Sequence, residues 1–177
     1  EPTVEEPTLP TVEEPTVEEP AEPEEPTAEE PTGETGEGET TVNCPTTNPT
    51  ESLATISWNK KNVRVYHAHG GIVDEWCYDG GSWYVGEFSA VGQTVSAVAW
   101  NTVNIRVYVG DGINIAEYCW DGNGWYVGSF TAEGVVTGST SWLNGSNIII
   151  KVYVKTHEGH IEEHTYNKGW SVTSTFS

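Results

Sequence analysis

Basic residues are scarce in this chain: 7 Lys plus Arg stand against 27 Asp plus Glu, for a formal net charge of −20. No basic stripe is available to neutralise a phosphate backbone, so nucleic acid is not an expected partner. No apolar run approaches the roughly eighteen residues of a membrane span, and no signal-peptide pattern opens the chain, so membrane insertion is not expected. Tryptophan is missing before Trp58 and proline is missing after Pro49. Those two absences meet near residue 50 and set the expected domain boundary. Convincing helical periodicity is also missing, as are a nucleophile paired with a base and a Gly-rich phosphate loop, so the chain is not expected to be an enzyme and no cofactor is implied.

The acid is unevenly distributed. Residues 1–40 hold 15 acidic groups and no basic ones, in variations on EPTVEEPT, and the remainder holds 12 acids against the 7 Lys plus Arg. Such a Pro/Glu/Thr-rich text has too few apolar side chains to offset its ordering entropy. Residues 1–51 are therefore expected to be a disordered acidic stalk, a solvated spacer in preference to a glycosylated one. Asn48-Pro49-Thr50 carries proline in the forbidden middle position, which leaves Asn144-Gly145-Ser146 as the glycosylation sequon. The sequence opens on Glu1 instead of Met, as a trimmed product or an arbitrary chain boundary equally would, and a secreted or cell-surface location is expected. Of three cysteines, Cys44 falls in the stalk, where it could link two chains in an oxidising compartment.

What is present is an internal repeat. Arg64 and Arg106, the chain's only arginines, lie 42 residues apart, and so do Glu75 and Glu117, Cys77 and Cys119, and Trp83 and Trp125. Trp58, Trp100 and Trp142 open three copies at the same spacing, the third drifting by three or four residues. Cys119 has Thr165 as its third-copy counterpart, so Cys77 and Cys119 read as small buried hydrophobes. A repeat of this length is one supersecondary unit that cannot bury its apolar face alone.

Within each copy, short runs of alternating apolar and polar residues are separated by Gly, Asn and Asp, the grammar of strands and tight turns. Asp79-Gly80, Asp121-Gly122 and Asn123-Gly124 mark turns between third and fourth strands. The expected fold is all-β: residues 52–177 as three four-stranded blades of a β-propeller. Propellers close with about four to eight blades, so two chains are expected to complete a six-bladed ring as a homodimer. Trp58, Trp100 and Trp142 are expected in the core between blades, and Trp83, Trp120, Trp125 and Trp170 at the rim beside Gly-rich turns.

In each of the first two copies an arginine and a glutamate sit 11 residues apart across a hairpin. A guanidinium and a carboxylate held together offer donors and acceptors to adjacent sugar hydroxyls, and indoles offer a flat face to sugar C–H groups. The plainer reading is a cross-strand ion pair that stabilises the blade by about 0–1 kcal/mol. Residue chemistry alone leaves the two readings even. His67, His69, His157, His160 and His164 lack zinc spacing and read as solvated turn residues. Glu162 and Glu163 are adjacent on a strand, point to opposite faces and cannot flank one glycosidic bond.

The string I-R-V-Y followed by I-x-E-x-C-W-D-G-x-G-W-Y-x-G-x-F resembles the repeat of the Aleuria-type fucose-binding lectins, over about residues 52–177. The resemblance implies a six-bladed propeller that binds L-fucose on glycans between neighbouring blades, as a non-catalytic multivalent lectin. It implies a first site of Arg64 and Glu75 with Trp120 and Trp125, and a second of Arg106 and Glu117 with Tyr166 and Trp170, where Tyr166 replaces the usual Trp. A third, weak or silent site would combine Lys151 and Glu163 with Tyr78 and Trp83 of a second copy, because Lys lacks the planar fork of Arg. Gly86 and Gly128 match positions that line the pocket by backbone, and Thr173 breaks that pattern. The alternatives are a structural propeller module without sugar binding and a propeller glycosidase; fucosylated glycans and a second copy are the expected partners, with no metal.

Overall fold

The computed structural model describes residues 51–177, a run of twelve strands; the expected stalk and Cys44 fall on residues outside the described ones. The first sheet holds β1 (Ser52–Trp58), β2 (Asn62–His69), β3 (Ile72–Asp79) and β4 (Trp83–Val91). The second holds β5 (Thr94–Trp100), β6 (Asn104–Gly110), β7 (Asn114–Trp120) and β8 (Trp125–Glu133), and the third β9 (Val135–Asn144), β10 (Asn147–Lys155), β11 (Ile161–Tyr166) and β12 (Trp170–Phe176). Strands within each sheet are sequential antiparallel neighbours, and no helix occurs among the described residues. The turns follow the sequence: Asn59, Lys60, Asn101 and Thr102 all take positive φ between β1 and β2 or β5 and β6, and Gly80 and Gly122 do so after β3 and β7.

The sheets stack face to face in chain order through their first strands, β5 touching both β1 and β9. Alternation sends Tyr66, Val73 and Phe88 of the first sheet into one core with Val95, Ile105 and Val107 of the second. On the second sheet's other face, Val98, Tyr108, Ile115 and Phe130 meet Val136, Ile150 and Val152 of the third sheet. Serines stitch the inner edges: the Val95 N–H donates to Ser52 Oγ at 3.1 Å, and the Ser96 and Ser139 hydroxyls lie 2.6 Å apart. The repeat thus produces two equivalent seams, each apolar at its centre.

The third sheet departs from the other two at its outer strand. Between the pairs Ala116↔Thr131 and Tyr118↔Val127, strand β8 loops out three residues, whereas β12 has two between Glu162↔Thr175 and His164↔Val172. No counterpart of Phe130 enters the core there. Phe176 instead lies opposite Ile161, the place Ala132 holds opposite Ile115.

The three opening tryptophans differ in what covers them within one chain. Trp58 and Trp100 are half-buried against the two seams, whereas Trp142 is 44% exposed because no further sheet covers its face. Trp125 and Trp170, expected at the rim, pack against the two cores edge-on to Tyr66 and Tyr108.

Candidate functional site

Each seam opens into a cleft at its outer end. The first has a volume of about 540 Å³ and brings Arg64 and Glu75 of the first sheet together with Trp120 and Trp125 of the second. The second, about 450 Å³, brings Arg106 and Glu117 together with Tyr166 and Trp170 of the third sheet. All eight residues expected at two sites therefore line two equivalent clefts, of a size that accepts small ligands.

The arginine and glutamate are diagonal neighbours. In the β2–β3 ladder Arg64 faces Cys77 and Tyr66 faces Glu75, so Arg64 Nε reaches Glu75 Oε1 only at 3.9 Å. For Arg106 the Glu117 carboxylate lies beyond ion-pair range. The stronger partner of each guanidinium is an aspartate: Arg64 Nη1 to Asp79 Oδ1 and Arg106 Nη1 to Asp121 Oδ1, both 2.8 Å, with the second nitrogen of each approaching the second oxygen at 3.3 and 3.4 Å. Tyr84 and Tyr126 hydroxyls donate to the same carboxylates. Hydrogen bonds from Arg64 and Tyr84 lower Asp79 to about 2; burial works to raise Asp121, and the bonds from Arg106 and Tyr126 outweigh it.

Below each guanidinium lies the opening tryptophan, Trp58 under Arg64 at 5.0 Å and Trp100 under Arg106 at 4.9 Å. Neither the aspartates nor these tryptophans were among the expected site residues. Asp-Gly reads as turn grammar and a first-strand Trp reads as core, and both readings hold as far as they go. The available signal was the repetition itself, since Asp79 and Asp121 also sit 42 residues apart.

Burial of the glutamates is the second feature. Glu75 and Glu117 are 5% and 4% exposed, and each accepts a hydrogen bond from a fully buried tyrosine, Tyr66 at 2.9 Å and Tyr108 at 3.1 Å. The backbone N–H groups of Ser129 and Phe130 also donate to Glu117, at 3.0 and 3.3 Å. Gly86 and Gly128 make room for this, because a Cβ at either position would overlap the carboxylate. Burial and the neighbouring glutamate push the Cys77 thiol up to about 11 and that of Cys119 up to about 12, so both line the clefts as neutral thiols.

The residues expected at a third site are split between the two outer faces of the stack. On the third sheet Lys151 Nζ donates to Glu163 Oε1 at 2.6 Å, with Tyr153 and Thr173 hydroxyls donating to the same carboxylate at 3.0 and 2.8 Å. The bonds from Lys151 and Thr173 hold Glu163 below its ordinary value. Glu162, on the opposite face, pairs with His164 at 3.0 Å. Asn167 stands where the other copies have aspartate, so the lysine is not drawn to the turn and pairs with Glu163 instead. On the first sheet Tyr78 and Trp83 lie 5.4 Å apart with Trp83 51% exposed. His67 and His69 stack at 4.7 Å, and His69 lies 3.3 Å from Asp74; no metal-binding group of three or more occurs among the described residues.

Residues 28–132, more than half of the chain, match the family described as fungal fucose-specific lectin. Among solved structures, SapL1 lectin in complex with alpha methyl fucoside is 28% identical with a TM-score of 0.64, over 71% of this chain and 49% of that one. A fucose lectin from Kordia zhangzhouensis in complex with methyl-fucoside is 28% identical with a TM-score of 0.59, over 71% of this chain and 99% of that one. The lectin of Aleuria aurantia, a six-bladed β-propeller, matches at 23% identity and a TM-score of 0.58, over 71% and 45%, a likeness of fold. The chain thus spans about half the length of the SapL1 and Aleuria lectins, and all of the Kordia lectin's. No curated protein matches it.

Proposed function

Because the chain belongs to the fungal fucose-specific lectin family, we propose that it is a non-catalytic lectin that takes L-fucose on glycans into the two seam clefts. The observation that carries this reading is the same convergence at both seams: an oriented guanidinium and a buried carboxylate from one sheet, two aromatic rings from the next. Adjacent hydroxyls of a deoxyhexose would accept from Arg64 or Arg106 and donate to Glu75 or Glu117, while its apolar face and methyl group lie on Trp120 and Trp125, or on Tyr166 and Trp170. Donor and acceptor are both fixed before the ligand arrives, Arg by Asp and Glu by Tyr, which limits the ordering cost of binding.

The reading extends to a homodimer. Leu53 is 63% exposed on the first sheet's outer face, whereas Val95 at the same place in the second sheet is 5% exposed. Two copies, each laying that face on the other's third-sheet outer face, would close six blades and bring Lys151 and Glu163 of one chain to Tyr78 and Trp83 of the other. Thr173 and the Lys151–Glu163 bond occupy that third position, so it is weak or silent. A ring with several sites gains avidity on a glycan surface, in keeping with secretion or cell-surface display. The test is calorimetric titration with methyl α-L-fucoside: Arg64→Ala and Arg106→Ala should each remove one binding site per chain, and an unaltered stoichiometry in either would sink the assignment.

A further inference from the structure

The two clefts share their floors and differ at their rims. Immediately after Gly86 the first cleft is lined by Glu87, an exposed carboxylate; 42 residues on, beside Gly128, the second is lined by Ser129. The remaining charged lining is the same in both, one arginine and one buried glutamate, so a single acidic group sets them apart. The facing turn differs in the same sense. Gly122, between β7 and β8, lines the first cleft, and its counterpart between β11 and β12 is Lys168, exposed and at φ 64°.

Resting on the fucose reading above, we propose that Glu87 and Ser129 determine which glycans each cleft accepts: the first takes neutral fucosylated glycans and discriminates against acidic ones, while the second takes both. A fucose seated on Arg64 and Glu75 leaves its neighbouring sugar at the mouth of the cleft, since the cavity exceeds one deoxyhexose. At that mouth a sulfate or sialic acid carboxylate meets Glu87 in the first cleft and a neutral hydroxyl in the second. Glu87 also accepts hydrogen bonds from the hydroxyls of a neutral second sugar, which strengthens the contrast. Like charges about 7 Å apart at a hydrated surface change affinity by about three- to tenfold at low salt, an effect that fades as the Debye length shrinks.

The proposal is tested with full-length single-cleft variants, Arg106→Ala retaining the first cleft and Arg64→Ala the second. Each is titrated with methyl α-L-fucoside, a neutral fucosylated trisaccharide and its sulfated form at low and high salt. In the first-cleft protein the sulfated ligand should bind about three- to tenfold more weakly than the neutral one at low salt, with the gap narrowing at high salt. Adding Glu87→Ser should close the gap, and adding Ser129→Glu to the second-cleft protein should open one. Equal ratios in the two clefts, or a ratio indifferent to Glu87→Ser, would overturn the proposal. Failure of methyl α-L-fucoside to bind either variant would instead refute the fucose reading beneath it.

Discussion

Arg106 is clamped by Asp121, four residues beyond Glu117, with Nη1 2.8 Å from one carboxylate oxygen and Nη2 3.4 Å from the other. The aspartate sits in the turn that leads to Trp125, so one short segment sets both the plane of the guanidinium and the start of the strand that carries the first cleft's aromatic wall. Arg64 and Asp79 repeat the geometry. A carboxylate outside the cleft's lining thereby fixes the direction of a guanidinium within it.

Replacing Asp121 by alanine should weaken the second cleft. Hydrogen bonds to charged groups contribute about 1.5–3 kcal/mol, and because this aspartate side chain is 40% exposed the lower end applies, about a tenfold loss of affinity. Calorimetry on Asp121→Ala in the Arg64→Ala background reads that cleft alone; unchanged affinity would show that the arginine keeps its pose without the clamp.

Gly128→Ala should cost both affinity and stability. The added Cβ would overlap the Glu117 carboxylate and lie 2.7 Å from Cys119 Sγ, so the glutamate would have to leave its hydrogen bonds with Tyr108 and the β8 backbone. Overpacking of this kind costs about 1–3 kcal/mol, visible as a drop in Tm together with the loss of one site. Gly138→Ala, where nothing lies within 4 Å of the new atom, is the control. Equal behaviour of the two variants would remove the steric argument.

The pairing of Arg with Glu was legible in the sequence because duplication keeps spacing, and 42-residue spacing keeps a side chain on the same face of the same strand; the two aromatics of the next sheet came from the resemblance to the Aleuria-type lectins. Asp79 and Asp121 were hidden by their second role: a residue that makes a turn with Gly80 or Gly122 gives no sign that its carboxylate also folds back onto the neighbouring strand. Trp142 shows the opposite limit. Its spacing matches Trp58 and Trp100, yet burial depends on whether a further sheet follows, which spacing does not encode. The shortened loop-out in β12 was equally hidden, since losing one residue shifts Phe176 to Ala132's place without disturbing the apolar and polar alternation.

Acid should dissolve the clamps before it dissolves the cores. Asp79 is held down at about 2 by hydrogen bonds from Arg64 and Tyr84, below an unfolded-state value of about 3.9. A depressed carboxylate contributes stability that is fully present above the unfolded value and is lost as pH falls through the folded one. The loss therefore falls between about pH 4 and pH 2, with Asp121 adding in the same direction. Thermal unfolding followed from pH 6 to pH 2 should show a steeper acid limb in the native protein than in the Asp79→Asn/Asp121→Asn double variant. Parallel limbs would mean that other carboxylates govern acid stability.

Ring closure makes a prediction that separates burial from binding. Leu53 lies at the place Val95 and Val136 occupy in the two internal seams, where they are 5% and 4% exposed, yet it is 63% exposed itself. Phe176 and Trp142, 50% and 44% exposed, offer apolar surface on the opposite outer face. Covering a leucine of this kind contributes roughly 1.5–3 kcal/mol, and two copies joined by two equivalent seams would gain it twice, so Leu53→Asp acts on the assembly twice over. Light scattering should report a dimer for the native chain and a monomer for Leu53→Asp. The monomer should still titrate two methyl α-L-fucoside molecules per chain, because both clefts are built within one chain. A native monomer, or a Leu53→Asp dimer, would mean that the outer faces are closed by something other than each other.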